Sequence, residues 1–238
     1  MYAVWIVWGR EMKSIDNGIW VVERPFRFFG AEFGNRMTVI RLANNKLLLH
    51  SPVSLDSQLK QEVDALGKVE YLLTPNAFHG LHIGQWSAAY PHALVFDARD
   101  DCTASHFFPV LDMKQIKGIS KLKEVACYHD TSRTLILTDL CFNISTDVST
   151  WTKLFFSLNG AYDNFGPSRM MRSMIDDSEC LRDTVEQILL WPFERIIVSH
   201  GKVIEHNAQQ AMRDAFAFLW QNQKQDPRPG RVFPVRCG

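Results

Sequence analysis

The chain has 238 residues, of which 46% are hydrophobic, and its 26 Lys and Arg residues balance its 26 Asp and Glu residues. A net charge of zero argues against a protein whose main task is to bind nucleic acid, since such proteins carry an excess of basic residues. No stretch approaches the ~20 uncharged apolar residues that a membrane-spanning helix requires. We therefore expect a globular protein with a sizeable core that binds neither nucleic acid nor a membrane.

The cysteine pattern indicates a reducing environment. The five cysteines are scattered and show no Cys-x-x-Cys spacing: Cys102, Cys127, Cys141, Cys180 and Cys237. Such a pattern suggests neither a disulfide framework nor a zinc knuckle. We expect a cytoplasmic protein.

The two ends of the chain are predicted to lie outside the domain. Residues 1–8 are apolar, but this run is too short for a signal peptide and has no basic residue before it. We interpret residues 1–11 as an extension that precedes a natural start at Met12, and residues 225–238 as a flexible tail. A single domain is predicted over residues 12–224.

The first half of the chain predicts an antiparallel start followed by alternating helices and strands. Asn44 and Asn45 separate two β-branched runs, and asparagine tolerates the positive φ of a two-residue hairpin loop. Ser54 or Asp56 can begin the first helix, which Gly67 ends. The predicted strands are Ile19–Val22, Met37–Leu42, Lys46–His50, Val69–Thr74 and Leu94–Phe96, and a second helix is predicted over Ile83–Tyr90.

The second half repeats this order. Residues 100–123 are poorly patterned and are predicted to be mostly loop. A second hairpin is predicted from Val125–Tyr128 and Thr134–Thr138, and a last strand over Phe193–Ser199. Helices are predicted over Trp151–Leu158, from about Asp176 to Pro192, and over His206–Gln221. Two hairpins, each followed by helix and strand, predict an α/β (α+β) fold with two packed sheets and outer helices.

The segment between the first two strands is unusually aromatic. It runs from Pro25 to Gly34 and holds four phenylalanines. In a loop, these rings either pack onto the edge of the sheet or form an apolar wall beside a pocket. We favour packing.

Three strand ends carry side chains that can bind a metal. His79 and His82 follow the strand that ends at Thr74, Asp139 follows a later strand, and His200 follows the last. A neutral imidazole offers a lone pair to a metal, and a carboxylate offers a hard oxygen. Taken singly, each of these residues is more often a cap or a surface residue, so the set matters more than any member.

Together these residues resemble the metallo-β-lactamase superfamily, and a branch of it with undefined function in particular. That superfamily has a His-x-His-x-Asp-His turn after a buried strand, then Gly and a helix, an Asp after a later strand and a His after a still later one. His79 matches the second histidine of the turn and His82 the last, while Asp139 and His200 match the later ligands. The resemblance implies a four-layer αββα sandwich.

The departures from the superfamily pattern are as informative as the matches. Ala77 stands where the first histidine is expected, and Leu81 where the aspartate that orients the attacking water is expected. Glu124 could replace a missing ligand. A full centre with two metals is therefore not expected.

The remaining residues, His79, His82, Asp139 and His200, suffice for one metal site. The resemblance implies a zinc ion, with iron or manganese as alternatives, and hydrolysis of a small ester, lactone, thioester or phosphoester through a metal-bound water. The competing interpretation is a non-catalytic scaffold that has lost part or all of the metal centre and uses the segment from Phe26 to Phe33 as a binding surface. No catalytic residue besides the ligands can be named from the sequence.

Overall fold

A computed structural model describes residues 11–100, 110–144 and 147–221. The predicted extension, except for Glu11, and the predicted tail lie outside these residues. The single domain over residues 12–224 stays a prediction.

The described residues form twelve strands and seven α-helices. The strands are β1 (Lys13–Asp16), β2 (Ile19–Arg24), β3 (Arg27–Phe28), β4 (Ala31–Glu32), β5 (Asn35–Arg41), β6 (Lys46–His50), β7 (Lys68–Thr74), β8 (Leu94–Asp97), β9 (Leu111–Gln115), β10 (Val125–His129), β11 (Thr134–Ile136) and β12 (Arg195–Ile197). The helices are α1 (Ser57–Leu66), α2 (Ile83–Ala89), α3 (Thr150–Leu158), α4 (Arg169–Ser173), α5 (Ser178–Ile188), α6 (Ala208–Phe216) and α7 (Phe218–Gln221).

Two sheets carry the fold. The first has six strands in the order β1-β2-β5-β6-β7-β8, and the second has four in the order β12-β11-β10-β9, while β3 and β4 form a separate small hairpin. Strands β6, β7 and β8 are parallel to one another, and β11 is parallel to β12. A parallel pair needs a crossover connection, and α1 and α2 supply the crossovers in the first sheet.

Alternating side chains divide the apolar residues into three layers of core. Ile40 and Leu48 of the first sheet pack with Ile136 of the second, so this layer lies between the sheets. Val39 and Leu49 point the other way and pack against α1 and α2. The outer face of the second sheet packs against α5 and α6 through Leu135, Ala126, Leu181, Val185, Met212 and Phe216. The architecture is therefore the predicted αββα sandwich.

Local sequence signals explain where several elements begin. Asn44 and Asn45 adopt the predicted positive φ, with values of 57° and 56°, but the connection between antiparallel β5 and β6 spans residues 42–45 and not the predicted two. Asp56 begins α1 by accepting a hydrogen bond from the amide of Leu59, at 2.8 Å. Asp177 begins α5 in the same way, with two amide donors. Cys127 and Tyr128 face opposite sides of their strand, since they belong to different layers of core.

The prediction that residues 100–123 are mostly loop is wrong for β9. Leu111 and Met113 enter the layer between the sheets, and polar residues stand between and after them. This alternation is that of a strand with one buried face, but it lasts only five residues. Pairing with β10, with Met113 opposite Cys127, stabilises it.

The aromatic segment divides between the two predicted roles. Phe33 is buried and packs against Phe156 with 4.7 Å between ring centroids, whereas Phe28 and Phe29 at the hairpin tip stay exposed. The packing that we favoured therefore holds for Phe33 and not for the tip.

The cysteines differ in state. Cys127 and Cys141 are buried and Cys141 is a free thiol, but Cys180 is disulfide-bonded, against the expectation drawn from spacing. Spacing cannot reveal a single pairing, because pairing depends on which residues the fold brings together. A cytoplasmic location thus rests on the sequence pattern alone. No helix in the described ranges is long and apolar enough to cross a membrane.

Candidate metal centre

The candidate site lies where strands of both sheets end. His79 belongs to the turn after β7, Asp139 follows β11 and His200 follows β12. Because β11 and β12 are parallel neighbours, with Ile136 opposite Ile197, their carboxyl ends lie at the same edge. Two backbone hydrogen bonds join the turn after β7 to the second sheet and to the loop before β10. The amide of Val125 in β10 donates to the carbonyl of Pro75, and the amide of Ala77 donates to the carbonyl of Leu122 in that loop.

Three of the four predicted ligands come together at this edge. His79, Asp139 and His200 each offer one ligand atom, and these atoms all lie within 4.8 Å of one another. Nε2 of His79 is 3.2 Å from Oδ2 of Asp139, and Nε2 of His200 is 3.1 Å from Oδ1. All three residues are buried. We call them the His-Asp-His triad.

The orientation of the His200 ring is fixed by a hydrogen bond at Nδ1, the nitrogen that faces away from Asp139. Its Nδ1 lies 2.6 Å from the carbonyl oxygen of Gly34, which can only accept a hydrogen bond, so Nδ1 carries a proton and donates it. In a neutral ring, Nε2 then carries the lone pair, and it points at the carboxylate of Asp139. A lone pair facing a carboxylate is repulsive unless a proton or another cation stands between them.

His79 is held by the side chains of two other residues. Its Nδ1 is 2.7 Å from the hydroxyl of Ser51, which leaves Nε2 directed at Asp139. The side-chain oxygen of Asn76 accepts hydrogen bonds from the amides of Phe78 and His79, at 2.8 and 2.9 Å. Its amide nitrogen donates to Oδ2 of Asp139 at 2.8 Å. The side chain of Asn76 therefore both fixes the turn after β7 and positions the carboxylate of Asp139.

Glu124 supports the site from within the protein. It is fully buried, and its carboxylate accepts hydrogen bonds from the amides of Thr138, Asp139 and Leu140 at 2.8 to 3.0 Å. It also accepts a hydrogen bond from Asn76 at 3.2 Å. Glu124 is not a member of the triad, so its observed role is to hold the backbone that carries Asp139.

The buried charges of His79 and Asp139 shift each other's pKa towards the charged forms. Burial alone would raise the pKa of Asp139, but the charge of His79 and the hydrogen bonds from both histidines hold it well below its ordinary value. Burial alone would lower the pKa of His79, yet attraction to Asp139 outweighs burial and raises it. Burial, followed by repulsion from Asp139, raises the pKa of Glu124. The site is thus built around one ionised carboxylate that attracts cations.

The other sequence-predicted positions lie apart from the triad. His82 precedes the first residue of α2 and is half-buried, and it does not belong to the group of mutually close ligand atoms. Partial burial lowers its pKa. Leu81, in the position of the expected aspartate, is 73% exposed. Ligation by His82 stays a prediction that the geometry does not favour.

A further histidine lies next to this site. His50 ends β6 and directly precedes Ser51, and neither of its ring nitrogens has a hydrogen-bond partner among the described residues. Burial, together with the nearby charge of His79, lowers the pKa of His50 to about 3, so the ring is neutral at physiological pH. A buried polar side chain without a partner is costly. The site thus contains an unused imidazole close to the triad.

The site contains supporting residues that the sequence did not reveal. Asn76, Ser51 and the carbonyl of Gly34 orient the triad, and only Asn76 had a local signal, because asparagine after Thr-Pro often bonds to the backbone of its own turn. The other two come from distant parts of the chain.

Comparison with known proteins agrees with this architecture. A family model described as a domain of unknown function (DUF4336) matches residues 16–111. No curated protein sequence is significantly similar to this chain.

Solved structures with the metallo-β-lactamase fold are similar to most of the chain. A metallo-β-lactamase from Pontibacter korlensis is 10% identical, with a TM-score of 0.59 over 89% of this chain and 99% of its own. FIM-1 from Pseudomonas aeruginosa in its mono-zinc form is 11% identical, with a TM-score of 0.58 over 87% and 95%. The Flv1 flavodiiron core from Synechocystis is 12% identical, with a TM-score of 0.61 over 90% of this chain and 62% of its own. The fold is therefore that of the metallo-β-lactamases, as the resemblance implied.

Proposed function

We propose that this protein is a metal-dependent hydrolase that binds one zinc ion at the His-Asp-His triad and acts on a small ester, lactone, thioester or phosphoester. Iron and manganese are the alternative metals. Structures of the same fold include a mono-zinc lactamase and a flavodiiron core, which supports the binding of a metal by this chain.

The observation that carries the proposal is the orientation of His200. Because Nδ1 donates to the carbonyl of Gly34, Nε2 is the nitrogen that faces the carboxylate of Asp139, 3.1 Å away. Either a proton or a metal ion must lie between these two atoms, and both atoms could bind a metal ion there. A metal-bound histidine typically uses one nitrogen for the metal and donates a hydrogen bond with the other.

The donor types also fit the proposed metal. Two imidazole nitrogens and one carboxylate oxygen form a set that suits zinc in an open site, and also iron and manganese. Bound there, the metal would lower the pKa of a water molecule and polarise a carbonyl or phosphoryl group of the substrate.

The chain's own residues prepare the site for this chemistry. Ser51 and Gly34 fix the two rings, and Asn76 fixes the carboxylate, so little reorganisation is needed on binding. Hydrogen bonds from three backbone amides hold Glu124 and keep the Asp139 segment rigid.

A binding scaffold without catalysis is the second candidate, and specific departures favour it. In the hydrolytic members that the chain resembles, an aspartate at the position of Leu81 orients the attacking water, whereas Leu81 is apolar and mostly exposed. His79, Asp139 and His200 could also share protons among themselves in place of a metal.

Metal content separates the two candidates. The full chain is purified without added metal, reconstituted with zinc, and analysed by mass spectrometry for bound metal, with iron and manganese measured in the same samples. We expect close to one ion per chain, lost in the His79→Ala/His200→Ala double variant and retained in His92→Ala, which alters an exposed histidine away from the triad. We also expect hydrolysis of esters, lactones, thioesters or phosphoesters only in those samples and variants that retain the bound metal. A folded protein that takes up no metal after reconstitution would rule out the hydrolase.

A further inference from the structure

His50 lies at the edge of the sheets where the triad is found. It is the last residue of β6, which is parallel to β7, and it pairs with Leu73 just before β7 ends. The turn that carries His79 begins after β7, at the same edge. Side chains alternate along a strand, and Leu48, two residues before His50, packs between the sheets. The ring of His50 therefore lies between the sheets, on the side of the triad.

Packing alone does not account for an imidazole at this position. His50 is 1% exposed, and both of its ring nitrogens lack a hydrogen-bond partner within the described part of the chain. Three leucines precede it in β6, and another apolar side chain would fill the space without the cost of burying unpartnered polar atoms. Buried polar atoms that no protein group satisfies are usually bonded to an ordered water molecule. We therefore expect a water molecule beside His50.

The backbone next to His50 is strained. Ser51 has φ of +56°, in the left-handed region that is unfavourable for most residues other than Gly, Asn and Asp. This bend accompanies the contact of 2.7 Å between the Ser51 hydroxyl and Nδ1 of His79. Strained residues of this kind are concentrated at functional sites. The bend after His50 therefore belongs to the site and is not only the end of a strand.

His50 is close to the triad but is not part of it. Burial, and then the nearby charge of His79, lower the pKa of His50 to about 3, so the neutral ring offers one lone pair and one N–H. Its nitrogens do not belong to the group of ligand atoms that lie within 4.8 Å of one another. His50 therefore does not reach the same ion as the triad in this arrangement, but a water molecule between them can link the two.

Other polar groups beside the triad are already engaged. The carboxylate of Glu124 accepts hydrogen bonds from three backbone amides, and the Ser51 hydroxyl is held by His79. Leu81 stands where hydrolytic members have the aspartate that orients the attacking water, and its side chain has no polar atom. His50 thus provides a buried acceptor next to the triad that no donor among the described residues uses.

We propose that His50 accepts a hydrogen bond from the water molecule bound at the triad and orients it, in place of the aspartate that Leu81 replaces. The oxygen of this water binds the metal, and one of its hydrogens is donated to the lone pair of the imidazole. The hydrogen bond gives the buried ring a partner that the protein itself does not supply. This inference rests on the proposed function and deepens it, since it names the residue that positions the water for hydrolysis.

Replacement of His50 by an apolar residue should affect metal binding and stability in different ways. The His50→Leu variant should bind zinc about ten- to 100-fold more weakly than the unaltered chain, because the bound water loses its partner. Without metal, the variant should be at least as thermally stable as the unaltered chain, because unpartnered polar atoms are removed from the core. Chelator competition gives the zinc dissociation constants, and circular dichroism gives the melting temperatures.

Two variants that keep an acceptor provide the matched comparison. Glutamine and asparagine place a side-chain oxygen at about the positions of Nε2 and Nδ1, so either His50→Gln or His50→Asn should retain most of the zinc affinity. A crystal structure of the zinc-loaded full chain should show a water molecule that binds the zinc ion and lies within hydrogen-bond distance of His50.

His129→Leu is the control for the loss of a buried histidine. His129 is also 1% exposed, but its Nδ1 lies 2.7 Å from the hydroxyl of Ser132, and it pairs with the start of β11, away from Asp139. Its replacement should lower the stability and leave the zinc affinity unchanged.

Four results would each overturn the inference: unchanged zinc affinity in His50→Leu, an equal loss of affinity in His129→Leu, weak binding in both acceptor variants, or a direct bond between His50 and zinc. An unaltered chain that takes up no zinc refutes the proposed function. A chain that binds zinc equally well with and without the His50 imidazole refutes this inference alone.

Discussion

Nδ1 of His200 donates a hydrogen bond to the carbonyl oxygen of Gly34 across 2.6 Å, although the two residues are 166 positions apart in the sequence. This contact connects the start of β5 in the first sheet to the turn after β12 in the second. The orientation of a candidate ligand therefore depends on how the two sheets pack. Disturbing that packing should weaken metal binding even where no ligand is changed.

The two histidines of the turn after β7 should differ in their effect on metal binding. His79→Ala removes a triad member and should abolish stoichiometric zinc, while His82→Ala should retain most of it, because His82 lies outside the triad. Zinc dissociation constants measured by chelator competition give the comparison. An equal loss in both variants would show that His82 is a ligand after all and that the turn rearranges when metal binds.

Arg36 should be important for stability. It is almost fully buried, donates to the carbonyls of Val198 and Gly201 on either side of His200, and pairs with Glu23. Arg36→Met leaves Glu23 and both carbonyls without this partner, and should cost about 3–5 kcal/mol of unfolding free energy. Urea denaturation followed by circular dichroism measures the effect.

Arg27→Met provides the matched control for Arg36. Arg27 also pairs with a glutamate, but its side chain is 67% exposed, so its loss should cost less than about 1 kcal/mol. A similar loss of unfolding free energy in Arg36→Met and Arg27→Met would show that the burial of Arg36 does not make its ion pair more important.

Two glycines near the site should respond in opposite directions to alanine. Gly201 has φ of +101°, and a Cβ there would lie 2.0 Å from the carbonyl oxygen of Asn143, so Gly201→Ala should destabilise by more than about 2 kcal/mol and displace His200. Gly84 lies in α2 with no atom within 4 Å of an added Cβ, so Gly84→Ala should stabilise by up to about 1 kcal/mol. Thermal melting of both variants tests this, and a stable Gly201→Ala protein would contradict the close approach.

Asp56 should give α1 a pH-dependent stabilisation. A hydrogen bond from the amide of Leu59, assisted by Arg24, holds the pKa of Asp56 below the ordinary aspartate value of 3.8. Because the folded-state pKa is lowered, the stabilisation is present above pH 3.8 and is lost as the pH falls through the lower folded-state pKa. Asp56→Ala should cost about 1 kcal/mol at pH 7, and the difference from the unaltered protein should shrink towards pH 3. If the loss of unfolding free energy in Asp56→Ala stays constant down to pH 3, ionisation of Asp56 does not contribute to the stability of α1.

Much of the fold could be predicted from local patterns. Short apolar and β-branched runs between turn residues predicted β5, β6, β10 and β11, and the asparagines between β5 and β6 adopt the predicted positive φ. β9 was missed because its alternation is short, and its stability comes from pairing with β10. Whether the phenylalanines of the β3–β4 segment would be buried also depended on contacts with α3, which no local pattern contains.

For the candidate site, the sequence by itself determined the chemical types: two imidazoles and a carboxylate at strand ends, with Ala77 and Leu81 in place of two expected ligands. Only the tertiary structure decided that His79, Asp139 and His200 meet while His82 stays apart, and that Glu124 holds backbone amides. The physical reason is that residue identity sets what a side chain can bind. Its direction is set by hydrogen bonds to partners such as Ser51 and Gly34, which only folding brings near.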